Sequence, residues 1–151
     1  MTLELRIPAF AKGGRIPHKF TADGADVSPA LEWDGAPANT RAYAIIMEDP
    51  DAPLGTWVHW VAYDLPARVT SLPEGGANEL PGEARTGRNS WETACWRGPA
   101  PPPGKPHRYF FRLYALSAPT GLTERASRDD LLMAMRGKIT GEAEWMGTFA
   151  R

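Results

Sequence analysis

Apolar and polar positions along the chain fall into short blocks separated by turn residues. Leu3 to Ile7 alternates apolar and polar side chains, the period-two pattern of a strand with one buried face. Leu31-Glu32-Trp33, bounded by the turn dipeptides Ser28-Pro29 and Asp34-Gly35, is at most a short strand. Ala42 to Met47 is an almost unbroken apolar run, as expected of a strand covered on both faces. Trp57 to Leu65 and His107 to Leu116 are rich in β-branched and aromatic residues and read as two further strands, the first ending at Pro66. Between them, residues 66–106 form a loop-rich stretch punctuated by Pro73, Gly75-Gly76, Pro81-Gly82 and Gly87. So long a loop region is unusual in a compact domain unless it shapes a site.

A different period follows. Ser127-Arg128-Asp129-Asp130 has the form of a capping box. Leu131, Leu132, Met135 and Ile139 then recur at helical spacing, which predicts one amphipathic helix of about three turns despite Gly137. Ala143 to Phe149 reads as a last strand. The expected fold class is mostly β, with two packed antiparallel sheets, one late helix and a long Pro/Gly-rich loop region. A single domain over residues 1–151 is expected. Fifteen glycines and fifteen prolines fit short strands and shaped loops better than a helical bundle.

Composition narrows the function. Seventeen basic residues against eighteen acidic ones give a net charge of -1, which argues against a generally basic nucleic-acid binder. The aromatics sit on presumed core strands and form no stacking platform, so no nucleic-acid partner is expected. No apolar run approaches the ~20 residues that span a bilayer, and Met1 to Arg6 lacks the features of a secretory leader. The lone Cys95 offers neither an intrachain disulfide nor a zinc set. A cytoplasmic protein without metal or cofactor is the expectation. The near-zero charge hides an asymmetry: Arg85 to Arg112 holds six basic residues and one acid, whereas Asp23 to Asp51 holds seven acids and Arg41 alone. Either the two segments pair across the fold or the basic one attracts an anion.

Several residues could carry chemistry. Glu48-Asp49-Pro50-Asp51-Ala52-Pro53 places three carboxylates in four positions after a buried strand. Enclosed, they need a cation, a shared proton or several donors; exposed, they make an ordinary turn. They lack the spacing of a calcium loop. Strict alternation puts His59 on one face with Trp57 and Val61, opposite Val58 and Trp60. His107 opens another strand with Tyr109 on its face, so the two imidazoles and the phenol form a donor cluster if the strands are neighbours. Gly98 to Pro106 holds five prolines in nine residues, either a rigid surface loop or a polyproline ligand for SH3-type partners. Ser90 lacks a nucleophile-elbow context, and His18, His59 and His107 lack metal-ligand spacing.

Asp49-Pro-Asp-Ala-Pro53 followed by Trp57-Val-His-Trp60, and Gly98-Pro99 followed by His107-Arg-Tyr109, occur in that order. With Phe20 to Gly24, Val27-Ser-Pro29 and Leu31-Glu-Trp33 ahead of them, they resemble the phosphatidylethanolamine-binding protein family, which includes the Raf kinase inhibitor proteins. The likeness covers nearly the whole chain and is closer to the bacterial YbhB/YbcL branch. It implies a β-sandwich with a small surface pocket for phosphate, another small anion or a phospholipid head group. The ligand-binding residues it implies are Asp49, Pro53, His59, Gly98, His107 and Tyr109, with Asp51 beside them. In that picture Asp49 orients His59, and the Gly98 amide approaches the ligand. Bacterial relatives of this kind are often homodimers. Kinase inhibition is not inherited, because the helix implicated in eukaryotic members is unmatched. Cys95-Trp96 stands where bacterial members commonly have Gly-Tyr, which puts an indole near the pocket rim. The function implied is non-enzymatic anion binding. Two readings from other classes stay open: an enzyme using Asp49 and His59 as an acid–base pair, and a protein-interaction module using the rim or the proline loop.

Overall fold

The computed structural model describes residues 2–151. Its elements follow in the order β1 (Glu4–Arg6), β2 (Leu31–Asp34), β3 (Ala42–Asp49), β4 (Trp57–Pro66), β5 (Ser71–Leu72), β6 (Arg85–Thr86), β7 (His107–Leu116), α1 (Arg128–Met135) and β8 (Ile139–Phe149). The strands form two antiparallel sheets. The smaller has the order β1-β2-β5 and the larger β6-β4-β3-β7-β8.

Strand β3 explains the layering. It lies at the centre of the larger sheet and is buried along its whole length. Tyr43, Ile45 and Met47 pack into the core between the sheets, where they meet Leu5, Leu31 and Trp33 of the smaller sheet. Ala44 and Ile46 face the other way, under Leu131 and Met135 of α1. An unbroken apolar strand is what this two-sided burial requires.

The helix is shorter than its periodicity predicts. The capping box is present: the Asp130 amide donates to Ser127 Oγ, and the Ser127 amide donates to the Asp130 carboxylate, each at 3.1 Å. The helix stops after eight residues at Met135. Gly137 takes φ +77°, and the Lys138 amide closes on the Met135 carbonyl at 2.9 Å. A left-handed glycine turns the chain off the helix axis. Ile139 therefore opens β8 rather than extending the helix, and the last strand runs eleven residues along β7 instead of seven. Among the described residues no helix is long and apolar enough to cross a membrane.

Much of the 66–106 stretch is irregular but not loose. Asn89 accepts from the amides of Trp91 and Thr93 through Oδ1 and donates to the Cys95 carbonyl through Nδ2, all within 3.0–3.1 Å. One buried amide side chain thus ties a seven-residue loop to itself.

Candidate functional site

The end of β3 and the beginnings of β4 and β7 meet at one edge of the larger sheet. Register decides this: Asp49 stands opposite Trp57, and Glu48 opposite Phe110. A cavity of about 310 Å³ opens there. Asp49, Trp57, His59, His107 and Tyr109 line it from the strands. Ala52, Pro53 and Leu54 come from the β3–β4 loop, Trp91 from the Asn89 loop, and Ala100, Pro101 and Pro102 from the proline run.

His59 reaches the cavity through a β-bulge. The β3–β4 pairing passes from Met47 opposite Trp60 to Glu48 opposite Val58, skipping His59. Strict alternation is therefore broken. Trp57 and His59 line the cavity, Trp60 joins the core between the sheets, and Val58 and Val61 pack on the outer side. One inserted residue re-aims the imidazole, a common use of bulges near sites.

The hydrogen bonds around the histidines differ from the expected ones. His107 Nδ1 lies 2.7 Å from Asp49 Oδ2, so Asp49 orients His107 and not His59. The other Asp49 oxygen accepts from the Asp51 amide at 2.8 Å. His59 Nδ1 instead donates to the Arg97 carbonyl at 2.8 Å. The His59 ring stands edge-on to Trp91 and Tyr109, with centroids 5.0 and 5.3 Å away. Burial pushes the His59 pKa below the ordinary histidine value, against weaker opposing effects of the Arg97 carbonyl, Asp49 and the Gly98 backbone. The Tyr109 hydroxyl is buried with no hydrogen-bond partner. Burial, with Asp49 nearby, raises its pKa strongly, so it stays a neutral donor.

Asp51 and Gly98 lie beside the cavity rather than on its wall. Asp51 takes the Arg108 guanidinium at 2.8 and 2.9 Å and the Arg108 amide at 2.9 Å. The Gly98 amide points away from the cavity, donating to Asp26 Oδ1 at 2.8 Å. A Cβ at Gly98 would collide with the Phe20 carbonyl oxygen and crowd Asp26, so glycine is needed for close backbone packing. Trp96 does not narrow the rim. It is buried in the core, stacked on Phe111 at 6.1 Å, and its indole N–H donates to Asp26 at 3.2 Å. The indoles at the cavity are Trp57 and Trp91, edge to face at 5.5 Å.

Two supporting residues were not legible in the sequence. Asp26, in a left-handed conformation at φ +56°, holds Trp96 and Gly98 and so positions the Arg97 carbonyl that fixes His59. Arg151 grips Asp23 through Nε and Nη2, at 2.7 Å for its shortest contact, and donates through Nη1 to the Pro101 carbonyl at 3.2 Å. The one signal for Asp26 was its place after a turn dipeptide; Arg151 had none. The acidic and basic segments do pair, as Asp51–Arg108 and Glu48–Arg112. Arg97 and Lys105 make no ion pair among the described residues, and no three His, Cys, Asp or Glu side chains there come together as a metal set.

A family model described as phosphatidylethanolamine-binding protein matches residues 6–150. A UPF0098 protein of Methanothermobacter thermautotrophicus is 44% identical over 151 residues, covering 99% of both chains. One from Aquifex aeolicus is 40% identical over 153 residues, covering 99% of this chain and 89% of its own. Among solved structures, a phosphatidylethanolamine-binding protein homolog from Chlamydia trachomatis aligns with a TM-score of 0.92 at 34% identity, over 99% of this chain and 98% of that one. Escherichia coli YbcL, described as a member of the mammalian family, aligns with a TM-score of 0.93 at 28% identity, over 100% and 99%.

Proposed function

The chain belongs to the phosphatidylethanolamine-binding protein family, and from that premise we propose that its cavity holds a small phosphate-like anion or a phosphorylated head group without turning it over. The observation that carries this is the convergence on one cavity wall of His59, His107 and Tyr109, with both Nδ1 atoms engaged inside the protein and the Tyr109 hydroxyl buried without a well-aligned partner. Leaving such a hydroxyl unmatched costs about 1–3 kcal/mol, which a ligand oxygen would offset. A cavity of about 310 Å³ suits a head group and leaves acyl chains outside.

Charge sets the pH dependence. A charged His59 donates to a ligand oxygen from its ring, and burial keeps its pKa below the ordinary histidine value. Binding of an anion is therefore expected to weaken as pH rises, with the change centred below the ordinary histidine value. An NMR titration with phosphate or phosphoethanolamine near pH 6 and again near pH 8 tests this. The His59 and His107 ring signals should move more at the lower pH; signals that stay put at millimolar ligand would overturn the reading.

The rival readings have less support. Asp49 is bonded to His107, so an acid–base pair of Asp49 with His59 is not formed. The cavity wall includes no Ser, Thr, Cys or Lys to serve as a covalent nucleophile. Pro99 and Pro101 are buried, and their carbonyls accept from Ala22 and Arg151, which disfavours the run as a free polyproline ligand.

A further inference from the structure

A second groove, of about 530 Å³, lies at the other end of the larger sheet, where β3 begins and β4 ends. Strand β3 is eight residues long, which sets this groove roughly 20 Å from the histidines. Arg41 enters it from the start of β3, Arg68 from the turn after β4, and Arg85 from β6. All three are exposed, and none makes an ion pair among the described residues. At the opposite end the arginines are neutralised, Arg108 by Asp51 and Arg112 by Glu48.

The groove is preformed. Its far wall hangs on a second β-bulge, in which Tyr63 and Asp64 stand against Ala44 alone as the register passes from Tyr43–Leu65 to Ile45–Ala62. Asp64 is left-handed there, at φ +59°, and spends both oxygens on the 119–122 loop. It accepts from the Thr120 amide at 2.7 Å, the Thr120 hydroxyl at 3.0 Å and the Gly121 amide at 3.3 Å. On the near wall Gly82, at φ +63°, packs so closely on Pro66 that a Cβ would lie 2.7 Å from the ring. The Arg68 guanidinium reaches within 3.8 Å of the same point. Glu83 is the other acid of the groove, exposed and in no ion pair. Three guanidiniums against two carboxylates, one of them committed to the loop, leave the groove cationic. Pro66, Pro119 and Leu122 make the surface between them apolar.

We propose that this groove docks an acidic peptide segment of a partner protein, its carboxylates on Arg41, Arg68 and Arg85 and its apolar side chains on Pro66, Pro119 and Leu122. A planar guanidinium matches a carboxylate in a two-pronged contact. One exposed ion pair is worth little, so a ligand gains affinity only by engaging several at once. Carboxylates spaced along a chain do this and cover the apolar surface between. A phosphate is served less well. The amides of Thr120 and Gly121, the donors that would cradle one, are taken by Asp64, and the apolar surface would stay uncovered. The docking does not depend on the histidine cavity and stands whether or not that cavity takes an anion.

An NMR titration of the isotope-labelled full chain tests this, with the acetylated and amidated peptide Glu-Glu-Leu-Glu-Glu-Leu as probe. In about 50 mM salt the amide signals of Arg68, Gly82, Arg85 and Gly121 should move, with a Kd of about a millimolar or lower. Glutamine in place of every glutamate should weaken binding about tenfold or more. Arg41→Gln, Arg68→Gln and Arg85→Gln combined should do the same, with folding checked by circular dichroism, and Arg68→Gln alone should cost about threefold. No movement of those signals at about 10 mM peptide, movement confined to the histidine cavity, or equal binding of the glutamine peptide would overturn the proposal. Parent affinity in the folded triple variant, or in Arg68→Gln if the triple variant does not fold, would overturn the assignment to these arginines. Tripolyphosphate bound in the groove more tightly than the peptide would overturn the choice of a peptide partner.

Discussion

Asp49 and Asp51 stand two residues apart and act on different partners. Asp49 is buried and spends both oxygens inside the protein, on His107 and on the Asp51 amide. Asp51 faces outward and takes Arg108 in a two-pronged contact that lowers its pKa to about 2. Because that pKa is depressed in the folded state, its stabilising share is complete above the ordinary carboxylate range and is lost as pH falls toward about 2. The pair is partly solvated, so its worth is modest. Asp51→Asn is expected to lower stability by about 1 kcal/mol or less near neutral pH. The gap between variant and parent should close between about pH 4 and pH 2 in urea unfolding curves. At this scale the residue types were readable from the chain, but not their partners. The resemblance implies Asp49 beside His59; the bulge and β7 bring His107 to it instead.

Elements are joined by a second carboxylate, on the other side of β3. Glu48 is buried and lies 3.1 Å from Arg112 Nε on β7 and 2.8 Å from Arg128 Nε at the start of α1. It therefore ties the helix to the outer face of the sheet, alongside the apolar contacts of Leu131 and Met135. Removing one partner of a buried ion pair commonly costs about 3–5 kcal/mol. Here the two arginine side chains are 33% and 32% exposed and recover some hydration, so Glu48→Gln is expected to cost about 2 kcal/mol. Thermal unfolding should fall by roughly 4–8 °C, with hydrogen exchange loosened first in α1. The strands β3, β4 and β7 were legible because burial writes a strong pattern into them. The length of β8 was not: Ile139 fits the helical period, and only the left-handed Gly137 and the free edge of β7 assign it to a strand.

Across the molecule, the cavity lined by residues 49–109 is braced by segments more than a hundred positions apart. Arg151 joins the loop around Asp23 to the Pro101 wall, while the Ala22 amide donates to Pro99 at 2.9 Å. These contacts hold one side of the cavity closed without touching its polar floor. Arg151→Ala is expected to weaken phosphate binding about three- to tenfold while the fold persists. Calorimetric titration beside a thermal melt would check it, and unchanged affinity would show that the wall stands without this residue. What the chain settled alone was the kind of fold and the cast of the site: burial on two faces demands apolar strands, and motif residues sit at the strand ends whatever else happens. Which imidazole meets the carboxylate, which backbone carbonyl holds the other and which indole borders the cavity were decided only by tertiary structure. Those choices depend on a one-residue bulge and on backbone carbonyls delivered by distant loops, and hydrogen bonds change partner over distances of an ångström or so that no local pattern records.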